Sequence, residues 1–133
     1  MAQITQLATV TIPVADQDRA LAFYVDRLGL ERRADFTYAD GARWVEVAPR
    51  GAATRLTLVR GQAGVETGVV LASADLEGDN AELRAGGVDV GEILCAGDPI
   101  VRWAGVVLAG IPSMFLLRDA DGNSLLVVQA GAP

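Results

Sequence analysis

The opening of the chain, Thr9-Val10-Thr11-Ile12-Pro13-Val14-Ala15-Asp16 followed by RALAFYVDRLGLE at residues 19–31, decides the fold. Alternating apolar residues predict a strand at its start, and Asp16 is a good helix N-cap. Residues 17–28 then predict a helix whose buried stripe consists of Ala20, Leu21, Tyr24 and Leu28. Gly29 follows where a left-handed residue commonly ends a helix. The opening is therefore a strand and an amphipathic helix.

A second segment repeats this pattern about half a chain later. Residues 69–72 predict a strand, Asp75 heads the next turn, and residues 78–85 predict a shorter helix that ends at Gly86-Gly87. Asp75 lies 59 residues after Asp16, and Gly87 lies 58 residues after Gly29. The near-constant offset indicates a duplicated unit.

Each helix is followed by segments that predict three strands. They are residues 30–37, 42–48 and 54–60 in the first half, and residues 88–95, 112–118 and 124–130 in the second. The last two strands of the second half flank Asp119-Ala120-Asp121-Gly122-Asn123, a composition typical of a tight turn. We expect one α+β domain over residues 1–133, with βαβββ units at about 4–60 and 67–130.

The long apolar connection at residues 96–111 does not fit the repeat. Long connections in compact domains are often functional. It could add an edge strand or pack at a dimer interface, or it could form a flap over a site with Trp103 as its contact residue. We leave both alternatives open.

Composition excludes several classes of function. Eleven Lys+Arg against 17 Asp+Glu give a net charge of −6, which disfavours nucleic-acid and anionic-membrane surfaces. The chain has no histidine and no lysine, so triad, Cys/His and Schiff-base chemistry are excluded. Cys95 follows Ile93-Leu94 and is expected to be a buried, inert thiol. No signal pattern opens the chain and no apolar run suits a membrane span, so we expect a cytoplasmic protein.

The quoted opening and the Asp119–Asn123 turn resemble the vicinal oxygen chelate superfamily. Residues 43–49 (RWVEVAP) and 67–71 (TGVVL) are similar to its glyoxalase/bleomycin-resistance branch. The resemblance implies two tandem βαβββ units that form a curved, half-open mixed sheet around a concave cleft. It also implies homodimers, and in enzymes of the superfamily a metal held by one ligand from each of four strands.

Carried over residue by residue, the four ligand positions fall on Thr9, Thr57, Gly68 and Leu126. Iron, nickel and zinc are bound by histidine, cysteine and carboxylates, so none of the four is a credible ligand. We therefore expect no metal and no cofactor.

Strand alternation predicts which side chains face the cleft. Thr9 and Thr11 share one face of the first strand, Trp44 and Glu46 share a face of the third, and Arg55 and Thr57 share a face of the fourth. A hairpin register that pairs residue 46 with 55 also pairs 44 with 57, so that Glu46 and Arg55 form a cross-strand ion pair. The alternative role for Glu46 is to bind a ligand or to act as a general base.

Three hypotheses for function follow. The first is metal-independent binding or sequestration of a cationic or aromatic antibiotic-like compound in the cleft of a homodimer. The second is a glyoxalase-like lyase or isomerase that uses Glu46 as acid/base without metal. The third is a structural or interaction domain whose cleft is filled by Leu126 and the long connection. The predicted ligand-binding residues are Thr9, Thr11, Trp44, Glu46, Arg55, Thr57, Trp103 and Leu126.

Overall fold

The computed structural model describes residues 1–131, which form two compact units divided between Ala63 and Gly64. Each unit contains a strand, a helix and three further strands of one four-stranded sheet, as the repeat predicts. The fold is α+β with open curved sheets, and that prediction is confirmed. Among residues 1–131 no helix is long and apolar enough to cross a membrane.

The first unit follows the predicted order closely. Its strands are β1 (Thr9–Val14), β2 (Glu31–Thr37), β3 (Arg43–Ala48) and β4 (Arg55–Arg60), arranged in the order β1-β4-β3-β2. Strand β1 runs parallel to β4, and the other pairs are antiparallel. Helix α1 (Gln17–Ala22) begins at Asp16, whose carboxylate accepts from the Arg19 backbone N–H at 3.0 Å.

Helix α1 is shorter than the predicted 17–28, because the last part is a π-helical turn, Phe23–Arg27. Ala20 and Tyr24 are buried against the sheet, while Leu21 and Leu28 are only partly buried. The wider π turn keeps Tyr24 fully buried while the chain reaches Gly29, which has φ of +75°.

The core of the first unit lies between α1 and the sheet. Strand residues of one parity are fully buried there: Ile12, Val14, Val45, Val47 and Leu58. Residues of the other parity occupy the opposite side, which we call the helix-free face of the first sheet. The side chains on that face form the candidate site described below.

The second unit repeats the topology with two additional strands. Its four-stranded sheet has the order β5-β10-β9-β6, with β5 (Glu66–Ser73), β6 (Asp89–Val90), β9 (Met114–Arg118) and β10 (Ser124–Gln129). Helix α2 (Leu76–Ala85) begins at the N-cap Asp75, two residues earlier than predicted. Strand β5 also extends beyond the predicted residues 69–72.

The predicted strand at 88–95 is wrong for most of its length. Asp89–Val90 pair with β9, the Gly91 N–H adds one hydrogen bond to the Leu116 carbonyl, and Leu94 makes one isolated bridge to Met114. The Gly91 carbonyl accepts instead from the Asn80 side chain at 3.0 Å, which ties this stretch to α2. Cys95 is exposed rather than buried. It lies at a turn in which its backbone N–H donates to the Asp98 carboxylate at 2.7 Å.

The long apolar connection contains the hairpin of β7 (Val101–Trp103) and β8 (Val106–Leu108). Its turn residues Ala104 and Gly105 have φ of +48° and +78°, the combination that suits the twist of a two-residue hairpin. Trp103 and Leu108 pack onto the side of the second sheet that we call its helix-free face, where they meet Met114 and Leu126. The connection thus supplies part of the core of the second unit.

Candidate functional site

The helix-free face of the first sheet gathers six of the predicted site residues. The register aligns Thr9 with Arg55, Thr11 with Thr57, and Glu46 with Thr57. Alternation then places Thr9, Thr11, Trp44, Glu46, Arg55 and Thr57 on the same side of the sheet. The predicted pairing of residue 46 with 55 is wrong by two residues, because Glu46 pairs with Thr57. The loop between β3 and β4 is longer than that pairing requires and includes Thr54.

Glu46 still forms the expected ion pair, along a diagonal of the sheet. Its Oε1 lies 3.5 Å from Arg55 Nε, and its Oε2 accepts from Trp44 Nε1 at 3.0 Å. The Glu46 side chain is 15% exposed. Arg55 Nε is buried and makes no hydrogen bond within residues 1–131, so the nearby carboxylate is its main charge compensation. Both carboxylate oxygens therefore have a protein partner.

The hydroxyl groups of Thr9 and Thr57 also belong to this face. Thr9 Oγ1 donates to the Arg55 carbonyl at 3.0 Å and lies 2.6 Å from Thr57 Oγ1. Because Thr9 has one hydroxyl hydrogen, Thr57 is the donor within the pair. Thr57 is fully buried, whereas Thr11 is exposed. The hydroxyl groups of Thr9 and Thr57 are therefore hydrogen-bonded to each other, and that of Thr9 also to the Arg55 carbonyl.

Two aromatic residues that the sequence did not single out complete the face. Phe36 is the cross-strand partner of Trp44, and Tyr38 meets Trp44 edge to face, with ring centroids 6.2 Å apart and planes at 77°. Phe36 and Tyr38 are 53% and 49% exposed. Strand alternation along β2 could have placed Phe36 on the same face as Trp44. The alternation is interrupted by the bulge between Arg32 and Ala34, which the sequence does not indicate.

A cavity of about 490 Å³ lies beside Tyr38. Its wall includes Gln17, Val59 and Arg60 together with the turn Asp40–Arg43. Arg43 is held by Asp35 at 2.8 Å and by Asp18 at 2.6 Å. The hydrogen bond from Arg43 keeps the pKa of Asp35 below its ordinary value, although partial burial opposes the shift.

The other two predicted site residues lie in the second unit. Trp103 is 3% exposed and donates from Nε1 to Ser124 Oγ at 2.7 Å, and Leu126 is 4% exposed in the same apolar cluster. In this unit the hairpin and Leu126 pack together over part of the helix-free face. Trp103 is packed against its own sheet, although one edge of it borders a further cavity.

The four positions that correspond to metal ligands do not fit a metal. The hydroxyls of Thr9 and Thr57 bind each other, Gly68 has no side chain, and Leu126 is buried among apolar groups. Among residues 1–131, no three His, Cys, Asp or Glu side chains form a group suited to a metal ion. No step of a mechanism is therefore assigned to a metal.

Comparison with known proteins gives relatives of nearly the full length. The chain is 29% identical to TnmS3, an antibiotic binding protein from Streptomyces sp. CB03234, with a TM-score of 0.75 over 98% of this chain and 100% of that one. A glyoxalase/bleomycin resistance protein from the same organism is 32% identical, with a TM-score of 0.69 over 93% and 100%.

A third relative comes from Sphaerobacter thermophilus DSM 20745. It is 26% identical, with a TM-score of 0.81 over 96% of this chain and 99% of that one. It is described as a member of the glyoxalase/bleomycin resistance protein/dioxygenase superfamily. A sequence profile of that superfamily matches residues 6–125, and the chain therefore belongs to the Glyoxalase/Bleomycin resistance protein/Dioxygenase superfamily.

Proposed function

We propose that the chain binds a planar aromatic compound on the helix-free face of its first sheet and releases it unchanged. The observation that carries this proposal is a group of three partly exposed rings beside a charge-compensated carboxylate. The antibiotic-binding relative TnmS3 supports a small-molecule binder of this kind. Sequestration protects a cell without any chemical step, so it requires no metal at the four family positions.

The rings are arranged as a prepared surface. The indole N–H of Trp44 is bound by Glu46, which restrains the rotation of the indole plane. Tyr38 supports that plane edge-on, and Phe36 lies on the neighbouring strand. Offset stacking on an aromatic side chain contributes about 0.5–1.5 kcal/mol beyond the burial of apolar area. Because the rings are restrained before binding, a ligand loses less side-chain entropy.

The charge distribution favours an uncharged ligand over a cationic one. The −6 net charge is not shared evenly, since residues 1–63 carry eight arginines against seven acidic residues and residues 64–133 carry three against ten. Within the site the Arg55 guanidinium compensates Glu46. The acidity of the whole chain is therefore no argument for a cation at this face, and we choose the aromatic alternative.

Paired oxygens also favour binding over acid–base catalysis by Glu46. A general base must reach the proton that it abstracts at about 2.6–3.2 Å. In Glu46 Oε2 accepts from Trp44 and Oε1 faces the Arg55 guanidinium, so the carboxylate already serves two groups of its own sheet. The carboxylate is better suited to holding the indole in place.

The test uses two three-ring compounds of the same shape, uncharged acridone and cationic 9-aminoacridine. Fluorescence anisotropy of each compound measures its Kd for the wild type and for Trp44→Leu. We expect acridone to bind at least as tightly as 9-aminoacridine, and Trp44→Leu to weaken acridone binding at least about tenfold. Trp103→Phe is the matched control, with an expected change of less than about threefold because phenylalanine keeps an aromatic ring in the apolar cluster of the second unit.

Equal binding by wild type and Trp44→Leu would contradict the location of the site. Preference for 9-aminoacridine would restore the cationic alternative. Mass spectrometry of the recovered compound separates binding from catalysis, because sequestration returns it intact. A converted product that disappears in Glu46→Gln would establish the enzyme hypothesis instead.

A homodimer and a cytoplasmic location remain predictions. Sedimentation equilibrium of the purified chain, with and without acridone, measures the first. Fractionation of cells that express the chain measures the second.

A further inference from the structure

We propose a second binding site in the second unit, for a zwitterionic small molecule of amino-acid size with an aliphatic side chain. The proposal concerns a different sheet and a different ligand class, so it does not depend on the aromatic site. It rests on a cavity of about 450 Å³ between the hairpin of β7 and β8 and the end of the second sheet. Pockets for small ligands commonly have volumes of about 300–1,000 Å³.

One polar row crosses this end of the sheet. Ser124 pairs with Glu66 on one side and with Arg118 on the other, and Arg118 pairs with Asp89. All four residues line the cavity. Neighbouring strands are about 4.8 Å apart, so acidic, hydroxyl and basic groups follow each other at that spacing. A row of this kind suits a ligand that carries both signs of charge.

The next row of the same face is apolar. Leu126 pairs with Leu116 there, and Leu116 and Trp103 contribute to the cavity wall. A bound molecule would therefore have its charged groups at the polar row and an aliphatic group directed toward Leu116 and the edge of the indole. This arrangement excludes a simple inorganic ion as the best ligand.

The polar groups have unused hydrogen-bonding capacity of both kinds. Arg102 lines the cavity and is exposed, and its side chain has no hydrogen bond or ion pair within residues 1–131. Ser124 accepts from Trp103, which leaves its hydroxyl hydrogen available. These two residues can bind a carboxylate.

The ammonium group has a separate partner. Glu66 Oε1 accepts from the Ala104 backbone N–H at 3.0 Å, and Oε2 is left for a ligand. Asp89 is less available, because Arg118 Nε lies 3.7 Å from its Oδ2. Glu66 therefore binds the amine and at the same time anchors the tip of the hairpin that borders the cavity.

The test is isothermal titration calorimetry with three related probes at neutral pH. L-leucine carries both charges, its methyl ester lacks the carboxylate, and N-acetyl-L-leucine lacks the ammonium group. We expect leucine to bind with a Kd of about 1 mM or lower, and each derivative to bind at least about tenfold more weakly, because charge-assisted hydrogen bonds are lost. An absence of heat with leucine, or equal binding of all three, would overturn the proposal.

Arg102→Gln and Arg27→Gln form a matched pair of variants. Both arginines are exposed and neither has a partner within residues 1–131, so both variants should fold. We expect Arg102→Gln to weaken leucine binding at least about tenfold and Arg27→Gln to leave it unchanged. An equal effect of both would refute the site. Acridone binding should be the same in both variants, so that failure of one site is distinguishable from failure of the other.

Discussion

The two sheets share one topology but differ in what covers their helix-free faces. In the first unit a short turn joins β2 to β3, and Phe36, Tyr38 and Trp44 remain partly exposed. In the second unit the corresponding connection, between β6 and β9, is long enough to form the hairpin of β7 and β8. The hairpin packs its own Trp103 onto the face.

The difference shows how a duplicated unit can leave one face open and cover part of the other. The two tryptophans illustrate the contrast, since each donates its indole N–H to a side chain on its own sheet. Trp44 donates to Glu46 and stays partly exposed, and Trp103 donates to Ser124 and is buried. The same contact restrains a partly exposed ring in one unit and completes an apolar cluster in the other.

Replacing each tryptophan with alanine should give the largest contrast. Trp103→Ala removes a buried ring from the apolar cluster and should lower the free energy of unfolding by about 3–5 kcal/mol. Trp44→Ala removes a partly exposed ring and should cost about 1 kcal/mol. Urea denaturation followed by circular dichroism measures both. Equal losses would mean that the two faces are not differently packed.

Removing the hydroxyl group that accepts the Trp103 N–H should have an intermediate effect on the free energy of unfolding. Ser124→Ala leaves that buried donor without its partner and should lower the free energy of unfolding by about 1–3 kcal/mol. Ser113→Ala is a matched control, because within residues 1–131 the Ser113 hydroxyl contacts only the Cys95 sulfur, at 3.8 Å and in an exposed position. The control should change stability by less than about 0.5 kcal/mol. A loss of the same size in both would show that the Trp103 contact does not matter.

The smallest expected effect is a pH dependence in the first unit. Arg43 holds the pKa of Asp35 below its ordinary value of 3.8. A depressed folded-state pKa stabilises the fold above the unfolded value, and this contribution is lost as the pH falls below 3.8 toward the folded value. Because the pair is partly exposed, solvent screening limits the loss to about 1 kcal/mol or less.

Urea titrations at neutral pH and at the lowest pH that preserves the fold measure this effect. Asp35→Asn should reduce the difference in stability between the two conditions, and Asp26→Asn, which changes an exposed carboxylate of the helical segment, should not. An unchanged acid dependence in Asp35→Asn would contradict the assignment to Arg43.

The repeated topology was predictable because strand and helix periodicities are local properties of the chain. Asp16 marked the start of the first helix, whereas the second helix begins two residues before the predicted start, directly after Asp75. The parity of Trp44 and Glu46 placed them together. The register of the β3–β4 hairpin was not predictable in the same way, because it depends on how the loop up to Thr54 closes. Pairing Glu46 with Thr57 instead of Arg55 still allowed the ion pair, because diagonal neighbours also reach each other.

The role of residues 96–111 was the part that local pattern could not decide. An apolar segment with glycines suits an edge strand, a dimer interface or a flap. The contacts of Trp103 with Ser124 and Leu126 bring it into the apolar cluster of the second unit, and they join residues more than 20 positions apart. Exposure of Cys95 has the same origin, since its turn is set by Asp98 rather than by the preceding Ile93-Leu94.

The most direct test of the proposed aromatic site uses the two indole N–H signals in a ¹⁵N–¹H correlation spectrum. Trp44→Phe assigns them, since the chain has two tryptophans. On titration with acridone, the Trp44 indole signal should shift in proportion to saturation while that of Trp103 stays in place. A shift of the Trp103 signal without a shift of the Trp44 signal would contradict ligand binding on the first sheet.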